Sequence, residues 1–221
     1  MLTPCYRVHV NDFDPAALEQ ALLQPLPGVE AQLNLAHPAR TLDVPAGVEP
    51  RSAGVLVLLY IAQGQLHFPL IERTSHNARD KHRGQISLPG GKHETQDASL
   101  TATALREAEE EIGVAASSVT VLGQLSSLYI PVSNFEVVPT VGLVDSAPTW
   151  IPEAAEVERV IEAPVTHLYA DGAVKHTDMP MSAGVRLRRV PYFDLAGEVV
   201  WGATAMILSE LRQVLQASRK G

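Results

Sequence analysis

Cysteine is nearly absent from this chain, and basic residues are outnumbered. Only Cys5 occurs among the 221 residues, which excludes a disulfide framework within the chain and a CxxC metal site. The 17 Lys and Arg residues face 25 Asp and Glu residues, for a net charge of -8 at pH 7. Because a nucleic-acid binder needs a basic face to replace phosphate counterions, this balance predicts no nucleic-acid partner.

Long hydrophobic runs are missing as well. The two longest, 55–62 and 199–208, are far shorter than the ~20 residues that span a bilayer, and Gly202 and Thr204 break the second. The first fifteen residues also lack the apolar segment of a secretory signal. These absences predict no membrane association and a cytoplasmic location.

What the sequence does contain is a glycine pair followed by a crowded acidic segment. Four glutamates occupy five consecutive positions, at Glu107, Glu109, Glu110 and Glu111. At the C-terminal end of a helix, negative charge opposes the helix dipole, and like charges one turn apart repel. A solvated acidic face is the simplest alternative. A bound divalent cation, Mg²⁺ or Mn²⁺, would instead compensate the repulsion.

Apolar spacing favours the second interpretation. Leu100, Leu105, Ala108 and Ile112 fit one stripe of a helix predicted over 97–111. That stripe would pack the helix on a core and leave the glutamates together on another face. The preceding glycines, Gly90 and Gly91, allow the backbone to approach a ligand closely.

The segment from Gly91 to Val114 resembles the Nudix box, G-x5-E-x7-R-E-U-x-E-E-x-G-U, where U is aliphatic. The second half, Arg106 to Val114, matches throughout if Ala108 counts as a small aliphatic residue. The first half departs in two ways, because Asp97 replaces the first Glu and Arg106 arrives one residue late. The resemblance implies a divalent-metal-dependent pyrophosphohydrolase with an α/β/α sandwich fold.

Residue roles follow from the same resemblance. It implies that Glu107, Glu110, Glu111 and the Gly91 backbone hold the metal, with the three glutamates and Arg106 forming the catalytic set. Arg106 would orient the glutamates through a salt bridge. An acid must also accept a proton from the attacking water. Candidates for this acid, besides the three glutamates, are Glu94, Glu136, Glu153 and Glu156.

A basic segment precedes the glycines. Arg73, Arg79, Lys81 and Arg83 lie within eleven residues, and cations beside a metal site suit a clamp for substrate phosphates, with Gly90 contributing its backbone. The run Gly84-x-x-x-Leu88-Pro89-Gly90-Gly91 resembles the signature of the coenzyme A pyrophosphatase branch. It implies a nucleoside diphosphate substrate, coenzyme A or an acyl derivative. His82 and His93 flank this proposed site.

Two alternatives remain open at this point. The displaced Arg73 and Arg79 leave room for another substrate, such as ADP-ribose, a dinucleotide or a nucleotide sugar. A catalytically inactive nucleotide-binding regulator is the other alternative, against which the intact Glu107, Glu110 and Glu111 argue.

Strand and helix patterns are mixed without βαβα alternation, which predicts an α+β fold with a mixed sheet between helices. We expect an N-terminal helix and proline-containing arm over 1–50 and a Nudix domain over 51–221. The arm suits packing against the core or a second subunit, so a homodimer is expected. Further predicted elements are a helix over 14–23, strands over 54–62, 67–72, 85–88, 119–130, 137–144, 157–161 and 185–193, and a helix over 203–215.

Overall fold

The computed structural model describes residues 13–75, 82–180 and 186–219. These described residues form four α-helices and eleven strands. The helices are α1 (Pro15–Leu22), α2 (Gly28–Leu33), α3 (Leu100–Ile112) and α4 (Gly202–Ala217). The strands are β1 (Arg51–Ala62), β2 (Gln65–Arg73), β3 (Ile86–Ser87), β4 (Gly90–Lys92), β5 (Thr120–Gln124), β6 (Leu128–Ile130), β7 (Phe135–Leu143), β8 (Val157–Pro164), β9 (Val174–Pro180), β10 (Arg186–Leu195) and β11 (Glu198–Trp201).

The main sheet is mixed, as predicted. Its central path runs β3-β2-β1-β7-β5, with β4 paired to β1, β6 to β7 and β8 to β2. Strands β1 and β7 are parallel, whereas β1 is antiparallel to both β2 and β4. Strands β9, β10 and β11 form a second, antiparallel sheet.

Alternation along β1 builds the layers. Leu56, Leu58 and Tyr60 are buried in one cluster with α3. Val57 and Leu59 are buried in the other cluster, which contains α4. Because successive side chains of a strand point to opposite faces, β1 supplies both cores. The predicted α/β/α sandwich is therefore confirmed.

Helix α3 begins three residues later than predicted. Ser99 is its N-cap and accepts a hydrogen bond from Ala102 N at 3.1 Å, so Asp97 lies in the preceding turn. At the other end, Gly113 adopts a φ of 75° and its N–H reaches Glu109 O. Gly54 lets α3 approach β1 closely, since a Cβ there would lie 2.2 Å from Leu100 O. These devices fix where the glutamates of α3 project.

The arm is more ordered than predicted. The helix predicted over 14–23 is confirmed as α1, and a second helix that was not predicted, α2, follows it in the proline-containing arm. Buried Glu210 of α4 accepts hydrogen bonds from Gln32 Nε2 at 3.0 Å and from Gly28 N at 3.2 Å. A buried carboxylate needs such donors, so this contact ties the arm to α4.

Other predictions differ in detail. The strand predicted over 119–130 is divided into β5 and β6, and β4, β9 and β11 were missed. The strand predicted over 185–193 is found as β10, although Val185 lies outside the described residues. Within the part of the chain that the structure describes, every helix is too short or too polar to cross a bilayer.

Candidate active site

The two glycines of β4 lie directly beneath α3. Gly91 pairs with Gly54 and Gly90 with Val55 on β1. Gly90 has a φ of 149°, and a Cβ there would lie 2.4 Å from Gly54 O. A Cβ on Gly91 would lie 2.5 Å from the Glu107 carboxyl group. Both positions therefore require glycine if β4 is to lie this close to the glutamates.

Glu111 is the most buried carboxylate of the site, with 2% of its side chain exposed. Its Oε1 lies 3.0 Å from Arg73 Nη1, and its Oε2 accepts a hydrogen bond from Gly90 N at 2.8 Å. Burial nevertheless raises the pKa of Glu111 to about 7, and the charges of Glu107 and Glu156 act in the same direction.

Glu107 lies one turn earlier on α3 and is largely shielded. Burial raises its pKa, and the charges of Glu110 and Glu156 add to this effect, while Arg106 opposes it. Glu110 is different, because 60% of its side chain is exposed. The structure thus places Glu107 and Glu111 inside the site and Glu110 at its solvent edge.

Arg106 links these acids. Its Nε and Nη2 bind both oxygens of Asp97 at 2.9 and 3.0 Å. Nη1 lies 2.9 Å from Glu110 Oε2, and Nη2 lies 3.0 Å from Glu107 Oε1. Because a planar guanidinium matches a carboxylate in this bidentate way, Arg106 holds a fixed orientation between the loop and the helix.

The departure from the Nudix box is accommodated at Asp97. Its carboxylate also accepts hydrogen bonds from Glu94 N and Thr103 Oγ1. The Arg106 guanidinium holds the pKa of Asp97 well below its usual range. A loop longer by one residue and an acid shorter by one methylene group together keep a bidentate contact to Arg106.

The carboxylates suit a hard divalent cation by their chemistry. Oxygen ligands are what Mg²⁺ prefers. Positive charge would also favour the ionised forms of Glu107 and Glu111, whose pKa values are raised by burial and by neighbouring carboxylates. Among the described residues, however, no three His, Cys, Asp or Glu side chains converge closely enough to hold a metal ion. Arg73 and Arg106 neutralise the acids in this arrangement.

The predicted phosphate clamp is only partly visible. Arg73 lies in the site, where it binds Glu111. Arg83 lies in an exposed turn before β3. Arg79 and Lys81 fall outside the described residues. The structure therefore brings Arg73, Gly90 and Gly91 together with the glutamates.

Among the four additional acids, Glu156 is the one whose charge reaches the carboxylates of Glu107 and Glu111. Its backbone carbonyl accepts from Thr74 N, next to Arg73, which brings the loop before β8 to the site. The other three acids bond to nearby groups: Glu94 to Gln96, Glu136 to Ser127 and Glu153 to Ala155 N. Of the flanking histidines, His93 lies 2.9 Å from Thr103 Oγ1 and His82 lies 3.2 Å from Gln85 Oε1.

A cavity of about 620 Å³ opens beside Gly90 and Gly91. Its floor comes from β1, the end of β2 and residues 82–92. Its other walls come from the arm around Arg40, the turn between β6 and β7, the start of β10 and the start of α4. The lining is largely apolar, with Phe135 and Trp201 among the larger side chains. Sequence reasoning missed Arg40, because no motif marks it in the arm.

Comparisons with known proteins agree with this geometry. Residues 50–175 match the NUDIX domain family model. The chain is 40% identical over 144 residues to the uncharacterized Nudix hydrolase NudL of Yersinia enterocolitica, covering 65% of this chain and 72% of that protein. It is 35% identical over 147 residues to NudL of Photorhabdus laumondii, covering 66% and 76%.

A crystal structure of a Nudix hydrolase from M. Smegmatis, RenU, shares the fold at a TM-score of 0.50 and 15% identity, covering 76% of this chain and 86% of that one. A likeness at this identity supports the architecture alone. The family match over more than half of the chain carries the assignment. The chain belongs to the Nudix family, whose hydrolases are pyrophosphohydrolases that act on nucleoside diphosphate derivatives and generally need divalent cations.

Proposed function

We propose that this protein hydrolyses coenzyme A or an acyl derivative to 3′,5′-ADP and 4′-phosphopantetheine. The observation that carries the proposal is the cavity beside Gly90 and Gly91, because none of its described lining residues is Asp or Glu. Coenzyme A has a 3′-phosphate besides its diphosphate, so it suits a site with cations beyond those that a diphosphate needs. Resemblance of residues 84–91 to the coenzyme A branch supports the same substrate.

In the proposed reaction, water attacks one phosphorus of the diphosphate and the bridging P–O bond breaks. The oxygen of the water ends in the phosphate that was attacked, and the bridging oxygen leaves with the other phosphate. The protons of the water pass to the products and the medium. An Mg²⁺ or Mn²⁺ ion, held by Glu107, Glu110, Glu111 and the Gly91 backbone, would neutralise phosphoryl charge and lower the pKa of a water.

The protein's own groups have distinct proposed roles. Arg106 positions Glu107 and Glu110 rather than touching substrate, as its contacts with both carboxylates support. Glu156 is our candidate for the acid that accepts the proton of the attacking water, because its charge acts on both Glu107 and Glu111. Arg73, Arg79, Lys81, Arg83 and the Gly90 backbone form the proposed clamp for the substrate phosphates.

A substrate panel tests the proposal. Purified protein with Mg²⁺ or Mn²⁺ is given coenzyme A, acetyl coenzyme A, ADP-ribose, a dinucleotide and a nucleotide sugar, and the products are resolved by mass. We expect the highest kcat/KM on a coenzyme A compound, with 4′-phosphopantetheine or its acyl form as product. Preference for ADP-ribose, a dinucleotide or a nucleotide sugar would replace this substrate. Binding without turnover of any compound would indicate a regulator.

The remaining expectations stay proposals. We propose that residues 1–50 serve the Nudix domain of 51–221 as an arm, in a cytoplasmic homodimer. Exposed Leu23, Val29 and Leu33 on the arm support an interface, since they leave apolar surface in water. Light scattering should give twice the 23.8 kDa of one chain. A monomer at high protein concentration would contradict the dimer.

A further inference from the structure

Charge in the cavity has one sign. Arg40, Arg73 and Lys92 line it, and none of its described lining residues is acidic. The chain as a whole carries a net charge of -8. A cationic, largely apolar cavity in an acidic protein focuses positive potential and attracts anionic ligands.

Arg40 differs from the other arginine of the cavity in its partners. Arg73 is neutralised by Glu111 at 3.0 Å. Arg40 donates from Nη2 to the Tyr129 carbonyl at 3.2 Å, and its Nε is buried without a hydrogen-bond partner. No carboxylate of the described residues forms an ion pair with it. Burial accordingly lowers the pKa of Arg40, since no anion offsets its desolvation.

Arg40 is partly buried, with its Nε shielded from solvent. Removing a cation from water without an anion beside it costs free energy, and the described residues offer no carboxylate to offset this cost. A second buried polar atom of the cavity wall, Ser87 Oγ, is likewise without a partner. Buried polar atoms without partners call for an explanation, and an anionic ligand that accepts hydrogen bonds from both groups supplies one.

Position separates Arg40 from the carboxylate site. It lies on the arm, in a turn where its N–H donates to His37 O at 2.8 Å, and it contacts the carbonyl of Tyr129 in β6. The glutamates project from α3 beside Gly90 and Gly91. Arg40 is therefore placed for a part of the substrate other than the diphosphate that the glutamates engage.

We propose that Arg40 binds a second anionic group of the substrate, a phosphomonoester separate from the diphosphate, at the arm side of the cavity. This inference rests on the proposed function, in which the group is the 3′-phosphate of coenzyme A. The apolar walls, with Phe135 and Trp201, receive the body that carries the phosphate.

Binding without catalysis tests the inference. The full-length protein in EDTA is titrated with 3′,5′-ADP and with 5′-AMP, which lacks the 3′-phosphate, by calorimetry. The wild-type protein should bind 3′,5′-ADP roughly ten- to a hundredfold more tightly, as one charge-assisted phosphate contact provides. In Arg40→Gln the two nucleotides should bind with nearly equal affinity. Arg40→Lys keeps the charge and should therefore retain part of the preference for 3′,5′-ADP.

Arg186→Gln is the matched control, because Arg186 is 65% exposed and lies outside the cavity lining. It removes the same charge and should preserve the wild-type ratio. Equal binding of both nucleotides by the wild type, or an unchanged ratio in Arg40→Gln, would overturn the inference. If Arg40→Gln does not fold, Arg40→Lys decides the question. A reduced preference for 3′,5′-ADP in that variant would support the inference, and an unchanged preference would overturn it.

Failure of the inference and failure of the proposed function are distinguishable. If coenzyme A is cleaved while Arg40→Gln keeps the wild-type preference for 3′,5′-ADP, the function stands and the Arg40 site falls. If coenzyme A is not cleaved but the ratio depends on Arg40, the anion site stands and the substrate is another nucleotide with a separate phosphomonoester.

Discussion

The carboxylate site of α3 and the cavity beside it meet at Gly90 and Gly91, yet the charged groups of the first are paired, whereas a cation of the second has no paired acid in the described part of the chain. In the carboxylate site, Arg73 and Arg106 neutralise the acids through short contacts. In the cavity, Arg40 is partly buried, and none of the described lining residues is an acid that could pair with it. This contrast fits the two proposed roles, which are cation-assisted chemistry at the carboxylate site and recognition of an anion in the cavity.

Replacing a carboxylate of α3 should reduce turnover more than any other substitution. Glu110→Gln and Glu111→Gln should each lower kcat on the cleaved substrate by roughly 10²–10⁴-fold, because a cation ligand and a charge are lost together. Glu109→Gln is the matched control, since the Glu109 side chain instead accepts from Ala116 N. Steady-state kinetics and circular dichroism check both points. Similar kcat values in all three variants would contradict the assignment.

Removing the metal tests the carboxylate site without a mutation. Excess EDTA should abolish turnover, and Mg²⁺ or Mn²⁺ should restore it. A cation that binds the folded state should also raise Tm, by linkage of binding to folding. Calorimetry with and without metal measures this rise. Full activity in EDTA would show that the carboxylates act without a cation.

Weakening the contact between Asp97 in the loop and Arg106 on α3 should lower kcat less than removing a carboxylate of α3. Asp97→Asn leaves a single amide oxygen to accept from the Arg106 guanidinium and replaces the other oxygen with an NH₂ donor. It should lower kcat by about tenfold, as loss of a supporting contact does. Asp97→Glu restores the family's acid but adds a methylene group to a longer loop, so it should not exceed the wild type. An Asp97→Glu enzyme with higher kcat would contradict our account of this departure.

A separate effect, on stability and not on turnover, concerns the pH dependence of unfolding in the metal-free protein. The folded pKa of Glu111 is about 7, against a usual 4.5, so the folded state binds this proton more tightly than the unfolded state. The cost of ionisation is absent below pH 4.5, grows as pH rises to about 7 and is constant above it. The free energy of unfolding, relative to Glu111→Gln, should fall by on the order of 3 kcal/mol. Urea unfolding at several pH values in EDTA measures it, and a flat difference would contradict the raised pKa.

The two regions also differ in what the sequence could predict. The acidic helix, its glycines and the sandwich were predictable, because the residues of α3 lie close in sequence and their spacing carries the pattern. The predicted start of α3 was wrong, because both Asp97 and Ser99 are suitable N-terminal residues for a helix and the structure uses Ser99 as the cap. The cavity was not predictable, since its walls come from the arm, the β6–β7 turn and α4.

Arg40 illustrates the limit. In the sequence it is one arginine of a proline-containing arm, with neither periodicity nor a motif around it. Its significance arises from its contact with the carbonyl of Tyr129, which is 89 positions away. Glu156 is a similar case, because a hydrogen bond between its backbone and Thr74 brings the loop before β8 to the carboxylates.

The most direct test of the division between the two regions crosses two variants with two substrates. The kcat/KM values of wild type, Glu110→Gln and Arg40→Gln are measured on coenzyme A and dephospho-coenzyme A. We predict that Glu110→Gln lowers kcat/KM for both substrates by a similar factor. Arg40→Gln should lower kcat/KM for coenzyme A roughly ten- to a hundredfold and leave the value for dephospho-coenzyme A nearly unchanged. Equal loss on both substrates in Arg40→Gln, or no preference for coenzyme A in the wild type, would contradict the account.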